Sequence, residues 1–595
     1  MYSVHSHRPE FGGCGSRIQA AVFLAFFSVA FFGCESPTID RLDLEAQRII
    51  DAQIDRSLGV NSQSNTAVPL IKIDEKTTAE EYDPVTVNTS ADALTVEPAP
   101  DVGEVAYPTI LDDGNKPDTL RLDLEGIIAQ AIEFSPQYRS EKEGLYLTTL
   151  SLIIERHEWG PRFFSTITGQ VDGVPEAGDN DTALSLIGSL GVTQRLPYGG
   201  TISATALVDY VRFLEQAATN TLPEDSQSAA LSVSLDLPLL RGAGSTANTV
   251  ETRIQAERNL IYAVRGFERF RREFFVDIAA IYFDIVRRQR QLANQELQLR
   301  NFENSARLFI ALAEAGREAF FRAERAEQRV LQARNALINQ QEAYAATLDS
   351  LKILIGIETT RSLEIIPVEI EVPEVLLDTD SSVATALKER LDLQTDRDLV
   401  DDATRDAKIA RNQLLPDLDL DADLLIPTDE TRDVGGLDFE AEDGEFAVGL
   451  TLGLPLDRKI EYADYRAALV LLEREKRDFR VEQDRVALEV REAVRAIQQA
   501  EFILQLQDRA VQINERRAQQ IEINQRDLGP NEVIDVQEDL LDARNDRDEA
   551  ASDLKISILD YLLSTGQLRI GPDGRWLAPG RLSLPVDEES IDPVS

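Results

Sequence analysis

Cysteine, histidine, methionine and tryptophan are almost missing from this chain: two, three, one and two residues in 595. Both cysteines, Cys14 and Cys34, lie near the start, which excludes a disulfide framework or a thiolate zinc site in the body of the protein. Two of the histidines, His5 and His7, sit at the extreme N-terminus, leaving only His157. That is a poor basis for a Ser/His/Asp triad or a His-ligated metal, so no catalysis, no metal and no cofactor is expected. Cations are short as well. Lys and Arg total 61 against 105 Asp and Glu, a formal net charge of −44. Such a chain does not bind nucleic acid by neutralising phosphates, which needs a basic face. Beyond residue 34 there is no run of 18 apolar residues, so no helical membrane span is expected. Yet with 43% hydrophobic and 28% charged residues, the chain is too apolar for a disordered acidic polymer.

The first 34 residues read as an address. Arg8 and Arg17 precede a 15-residue apolar run, Ile18 to Phe32, too short to span a bilayer comfortably. The run ends in FFGCES, which resembles a bacterial lipoprotein signal, although Phe31 stands where that signal usually has Leu. The resemblance implies lipidation of Cys34, and Glu35 after it implies retention in the outer membrane. An ordinary secretory signal with an incidental cysteine is the alternative, and either exports the chain. Residues 35–118, acidic and weakly patterned, read as a tether.

The remainder repeats itself. Ala131 aligns with Ala386 at a shift of 255, and the same shift carries Pro161 (HEWGPRFF) onto Pro416 (NQLLPDLDL). LSVSLDLPLL and VGLTLGLPLD match around Pro238 and Pro455. LQARNAL at 331–337 matches LDARNDR at 541–547 at a shift of 210, which also carries Gly356 onto Gly566. The change of shift is mostly one insertion, since Pro161 to Pro238 is longer than Pro416 to Pro455. Two copies make a duplication rather than a solenoid. The expected segments are a first repeat at 119–357 (strands within 161–240, helical hairpin 245–357), a linker at 358–380, a second repeat at 381–567 (strands within 416–455, helical hairpin 457–565) and a tail at 568–595.

Each copy reads as helix, strands, very long helix, turn, long helix. Leu231-Ser232-Val233-Ser234-Leu235-Asp236-Leu237 alternates without a break. Leu418, Leu420, Ala422 and Leu424 alternate with Asp417, Asp419, Asp421 and Asp423, and similar faces occur around Leu184–Val192, Ile202–Tyr210 and Val448–Leu454. Soluble half-buried strands alternate in the same way. Here the strands have membrane length and lie between proline breaks and long helices, which favours a transmembrane barrel. In the helices, Phe267, Phe270, Phe274, Ile278, Ile281 and Ile285 step by three or four, as do Val486, Val490, Ala493, Ile497, Ala500 and Leu504. From Ala247 to Ala315 there is no proline and one glycine; a continuous helix of that length is a rod of roughly 100 Å that must pack on other rods. Recurring small residues (ARNALINQQEAYAATL) suit packing on two sides better than a strict coiled coil.

This ordered set of features, with the opening LDLEGIIAQAIEFSPQYR and the paired segments EAGREAFFRAERAEQRVLQARNAL and RDLGPNEVIDVQEDLLDARNDRDEA, resembles the TolC-type outer-membrane efflux proteins over about 120–570. The resemblance implies an α+β membrane protein: a trimeric β-barrel with about four strands per chain, continued by a long periplasmic α-helical barrel. It implies a homotrimer in outer-membrane lipid, loaded by a periplasmic adaptor and an inner-membrane pump of an efflux or type I secretion system. Residues 172–228 depart from it, and carry either extra strands or an extracellular hairpin. Asp236 stands where the family usually has Gln. A coiled-coil scaffold and an exported enzyme are the other classes, disfavoured by the duplication and by the missing His and Cys.

Candidate sites follow. The hairpin turns after Gly316 and Gly529 are expected to be the adaptor-docking tips: Ala315, Gly316, Arg317, Leu528, Gly529, Pro530 and Asn531. Asp527, Glu532, Asp535 and Glu538 lie close enough to form the acidic constriction that the resemblance implies. Asp417, Asp419, Asp421 and Asp423 face the lumen if the intervening leucines face lipid, favouring cations; a solvated stripe serving only solubility is the alternative.

Overall fold

The computed structural model describes residues 39–58, 119–176, 179–215, 225–368, 378–428, 439, 441–524 and 530–571. The chain divides into two compact units. One takes residues 1–53, 146–262 and 398–477, and the other 54–145, 263–397 and 478–595.

The first unit carries a six-stranded antiparallel sheet. Its strands are β2 (Arg162–Glu176), β3 (Asp179–Arg195), β4 (Thr201–Glu215), β5 (Asp225–Pro238), β7 (Asp417–Pro427) and β8 (Glu445–Gly453), hydrogen-bonded in that order. About four strands were expected; among the described residues the sheet has six. The additional pair, β3 and β4, occupies the insertion that distinguishes the first copy. Alternation runs through most of the pair, broken at Ile187-Gly188 and Leu207, and β3 is paired on both sides, so the segment is sheet and not an extracellular loop.

The stretch read as a tether begins with a helix, α1 (Ile39–Leu58). Leu42, Ala46, Ile50 and Ile54 recur every fourth residue, and Ala46 and Ile50 are buried. Tyr146 donates its hydroxyl hydrogen bond to the Asp43 carboxylate. A weak overall pattern hid a 20-residue amphipathic one.

The helical unit shows the same construction twice. Strand β1 (Leu120–Leu122), which pairs in parallel with β6 (Leu363–Ile365), leads into α2 (Leu124–Phe134). That helix is capped by Asp123, whose side chain accepts from the Gly126 amide, and α6 (Thr379–Glu389) is capped by Asp378, which accepts from the Ser381 amide. The caps lie 255 residues apart. So do the helix ends, where Ser135 and Arg390 donate their amides to Ala131 and Ala386. α3 (Pro136–Glu158) and α7 (Leu391–Asn412) follow at once, so the single opening helix expected in each copy is two. In α3, Pro136 takes the first position, where its missing N–H is not needed.

The long helices are α4 (Asn248–Glu314), paired in sequence with α5 (Phe320–Leu354), and α8 (Lys459–Asn524), followed by α9 (Pro530–Ser564). The periodic stripe of α4 is its seam: the rings of Phe267, Phe270 and Phe274 lie 5.6, 6.1 and 5.7 Å from that of Tyr138. Ile278 and Ile285 are fully buried. On α8 the buried positions include Val486, Val490, Val494, Ile497, Ala500 and Val511, with Val486 and Val490 packed on Ala386. Further along, Phe302, Ala306 and Phe309 of α4 pack with Ala326, Val330 and Ala333 of α5 and Ile534 of α9. The alanines at this seam are the small residues that let helices approach closely. In the second copy a buried Ser382–Tyr561 hydrogen bond of 2.7 Å stands where the first copy has the fully buried Ile127 and Leu351.

A polar knot also lies inside this unit. Arg390 pairs with Asp392 at 2.5 Å and with Glu489, and Arg269 reaches the same Asp392. Burial alone would raise the Asp392 carboxyl; hydrogen bonds and charge from Arg390, with Arg269 behind it, hold it below the usual carboxylate range.

Gly356 and Gly566 close the two copies alike, with φ of 72° and 71°. A Cβ on Gly356 would sit 2.2 Å from the Phe134 carbonyl oxygen, and one on Gly566 would sit 3.1 Å from that of Glu389. Phe134 and Glu389 are again 255 apart. Gly316 shares the left-handed backbone, at φ 71°, but a Cβ there meets open space. Gly316→Ala should therefore cost about 1–2 kcal/mol from backbone strain alone. Gly356→Ala should cost clearly more, because two helix ends must separate; comparing thermal midpoints of the two purified variants checks the order.

Candidate functional site

Strand register carries one pair of faces through all six strands. On one face lie Phe163, Ile167 and Val171 of β2, then Leu184, Leu186, Leu190 and Val192 of β3. Ile202, Ala204, Ala206 and Val208 of β4 continue it, opposite Leu235, Val233, Leu231 and Ala229 of β5. Leu237, Leu235, Val233 and Leu231 then meet Leu420, Ala422, Leu424 and Ile426 of β7, and these meet Leu450, Val448 and Phe446 of β8. The face is exposed at its margins: Phe446 is 81% and Phe163 69% accessible. Its band along β4, from Ile202 to Tyr210, is nine residues. At about 3.4 Å per residue and about 40° of tilt, this is roughly 23 Å, close to the apolar band of a membrane barrel.

The opposite face is mostly polar, with Phe164, Ile187, Leu207, Val211 and Leu425 set among its polar residues. Ser203 and Ser234 share a hydrogen bond of 2.7 Å, and Ser232 donates to the Thr205 carbonyl. All four aspartates singled out in the sequence fall on it. Asp236 joins them, directly opposite Asp421 in the register. Thr451 on β8 donates to the Asp421 carboxylate at 3.2 Å, and Arg241, just after β5, pairs with Asp417. Asp236 is the polar-face member that the sequence reading left without a role. The signal was available, since Asp236 keeps phase with Ser232 and Ser234.

The sheet is open. Among the described residues, β2 and β8 have no neighbour on their outer edges. Those edges carry unpaired backbone donors and acceptors beside an apolar face, a combination that ordinary soluble sheets avoid.

No protein-family model matches the chain, and no curated protein matches it by sequence. Solved structures do. A structure of CusC, described for folding and transmembrane channel formation, has a TM-score of 0.56 at 13% identity, covering 75% of this chain and 93% of that one. The chain has a TolC-type fold. The outer membrane protein VceC of Vibrio cholerae gives 0.53 at 16% identity over 74% of this chain and 96% of its own. The open-state outer membrane channel MtrE of Neisseria gonorrhoeae gives 0.53 at 12% identity over 74% and 88%. At these identities the likeness is one of fold.

The hairpin ends are where the other sequence candidates lie. α4 stops at Glu314, and Gly316 turns the chain, with the Arg317 amide reaching back to the Leu312 carbonyl at 2.9 Å. Ala315, Gly316 and Arg317 are therefore all at this turn. α9 begins at Pro530; Asp527, Leu528 and Gly529 lie outside the described residues, as does Cys34. Of the constriction candidates, Glu532 and Asp535 are exposed on α9, while Glu538 is drawn toward α5 by Arg329 at 3.0 Å. Asp539, Asp542 and Asp546, not singled out from sequence, continue an exposed acidic line with Asp535. Partial burial, and behind it the charges of Asp546 and Asp539, pushes the Asp542 carboxyl up from its ordinary value. Its raised value means that ionisation opposes folding. The penalty is absent below the ordinary carboxylate pKa of about 4 and sets in as pH rises through the folded value. Asp542→Asn should thus raise the thermal midpoint at pH 7 and leave it unchanged near pH 4; melting curves at the two pH values check it.

Proposed function

We propose that this protein is the outer-membrane exit duct of a tripartite efflux or type I secretion system, passing substrates that an inner-membrane pump delivers through a periplasmic adaptor. The observation that carries the reading is the open six-stranded sheet with one continuous apolar face. Lipid cannot satisfy free strand edges, so a sheet of this kind in a membrane must close. β2 and β8 are antiparallel to each other, and β8 of one copy fits β2 of the next in a head-to-tail ring. A homotrimer closed in this way puts the apolar face to outer-membrane lipid and the polar face to a water-filled lumen. The outer-membrane channels that share the fold support the same location.

In this reading the duct itself performs no catalysis, and the pump supplies the energy. Cys34 would add a lipid anchor to a barrel that already holds itself in the membrane. The turns at Ala315–Arg317 and Leu528–Asn531 would receive the adaptor. The duplicated plan gives each chain two similar helical wedges, suited to a ring of helices built from three chains. Asp236, Asp417, Asp419, Asp421 and Asp423, repeated around the ring, would favour cations in the lumen.

The test is conduction through the purified full chain in planar bilayers under a salt gradient. Discrete steps with a cation-selective reversal potential are expected, and Asp419→Asn with Asp421→Asn should move that potential toward zero. Absence of any conductance would remove the duct reading. Unchanged selectivity in the double variant would remove the aspartates from the pore wall.

A further inference from the structure

Resting on the duct reading, we infer that this chain builds a barrel half as wide again as a twelve-stranded one: eighteen strands from three copies. Each copy contributes six strands, and the added pair is part of the wall. β3 pairs with β2 from Thr193 opposite Arg162 to Asp179 opposite Glu176, and with β4 from Arg195 opposite Thr201 to Thr182 opposite Glu215. β4 then pairs with β5 from Thr201 opposite Asp236 to Arg212 opposite Asp225. The pair thus stands between β2 and β5, which are not hydrogen-bonded to each other. Both added strands keep the faces of their neighbours, with Leu190 and Ala206 between Ser165 and Leu231 on the apolar side. An excursion outside the barrel would need neither two-sided pairing nor this phase.

The turn that joins them is built into the sheet. Gly199 and Gly200 have φ of 91° and 83°, and a Cβ on Gly200 would lie 2.1 Å from the Asp236 carbonyl oxygen. The Gly244 amide donates to the Tyr198 carbonyl at 2.7 Å, and the Leu196 amide to that of Gly200 at 3.1 Å. The hairpin therefore ends beside the β5 exit, level with the last rungs of the wall. β2, β5, β7 and β8 each lie next to a long helical segment in the chain, whereas β3 and β4 are flanked in the chain only by strands. The insertion enlarges the sheet without adding a helix. An even number of strands also preserves every strand direction, so the wall still closes antiparallel.

With strands about 4.8 Å apart and tilted about 40°, twelve give a backbone diameter of about 24 Å and eighteen about 36 Å. Eighteen strands is the class that leaves an open aqueous lumen. The membrane mouth then imposes little restriction on bulk, and size discrimination falls to the helical segment. Cargo too bulky for a twelve-stranded mouth, such as polymeric or heavily hydrated solutes, is the class this wall admits.

Single-particle imaging of the detergent-solubilised full chain tests it, beside a variant lacking 179–223. That deletion leaves Gly178-Glu224 as a two-residue turn and keeps Val171 opposite Leu231, in phase. The expected result is three copies and eighteen strands for the native chain, with a barrel 1.5 times as wide as that of the variant. A threefold ring of twelve strands with the hairpin folded away would overturn the wide barrel and leave the duct standing. So would a twofold ring of twelve. A protein with no ring would overturn the duct reading itself. If the variant does not assemble, the strand count of the native ring decides alone.

Discussion

Backbone amides and carbonyls have no partner in hydrocarbon, and the proposed use of the six-stranded sheet rests on that constraint. A sheet whose six strands share an apolar face can face lipid, but its first and last strands cannot remain unpaired there. In the proposed duct the pairing comes from another copy, because β2 and β8 lie at opposite ends of the chain's own sheet. On that proposal, oligomerisation is a requirement of membrane insertion and not an addition to it. The proposed ring makes the opposite face the inner wall, where its serines, threonines and aspartates would meet water.

The helical unit obeys a different rule. Helices satisfy their own backbones, so they are free to be long, and their problem is to cover apolar stripes along their whole length. Aromatic packing of Tyr138 on the α4 phenylalanines does this at one level, and alanine-rich contacts around Phe302, Phe309 and Ile534 do it at another. Glycines with positive φ mark the ends of both copies, Gly356 against Phe134 and Gly566 against Glu389. The Arg390 knot adds charge pairing at a place where the first copy has Ser135 as its helix end. The two segments differ in chemistry here while their caps and glycines match in position.

Much of this was legible beforehand because periodicity is a direct imprint of burial. Alternation placed Asp417 to Asp423 on one face, and steps of three and four picked out the α4 seam. Position was harder where the signal was local or ambiguous. The helix at Ile39–Leu58 was lost inside a stretch whose average composition looks like a linker. The break at Ser135-Pro136 was read through, since proline is welcome at the first position of a helix. The number of strands could not be read from alternation alone, because a membrane hairpin and a long loop with alternating residues look alike until hydrogen bonding on both sides is known. For the tips, sequence locates Gly316, but which acids of α9 point where depends on helical phase; Glu538 is drawn toward Arg329, and the exposed line runs through Asp535, Asp539, Asp542 and Asp546 instead.

The central claim is that the edge of one copy completes the edge of the next, and disulfide trapping measures it most directly. Cysteine at Phe163, Ser165 or Ile167 of β2 would be combined with cysteine at Leu450 or Leu452 of β8, in a chain whose own cysteines are only Cys14 and Cys34. Oxidation in native membranes should give a ladder of cross-linked species that ends at three chains. Cross-links confined to single chains, or none at any pair along the two edges, would contradict the account.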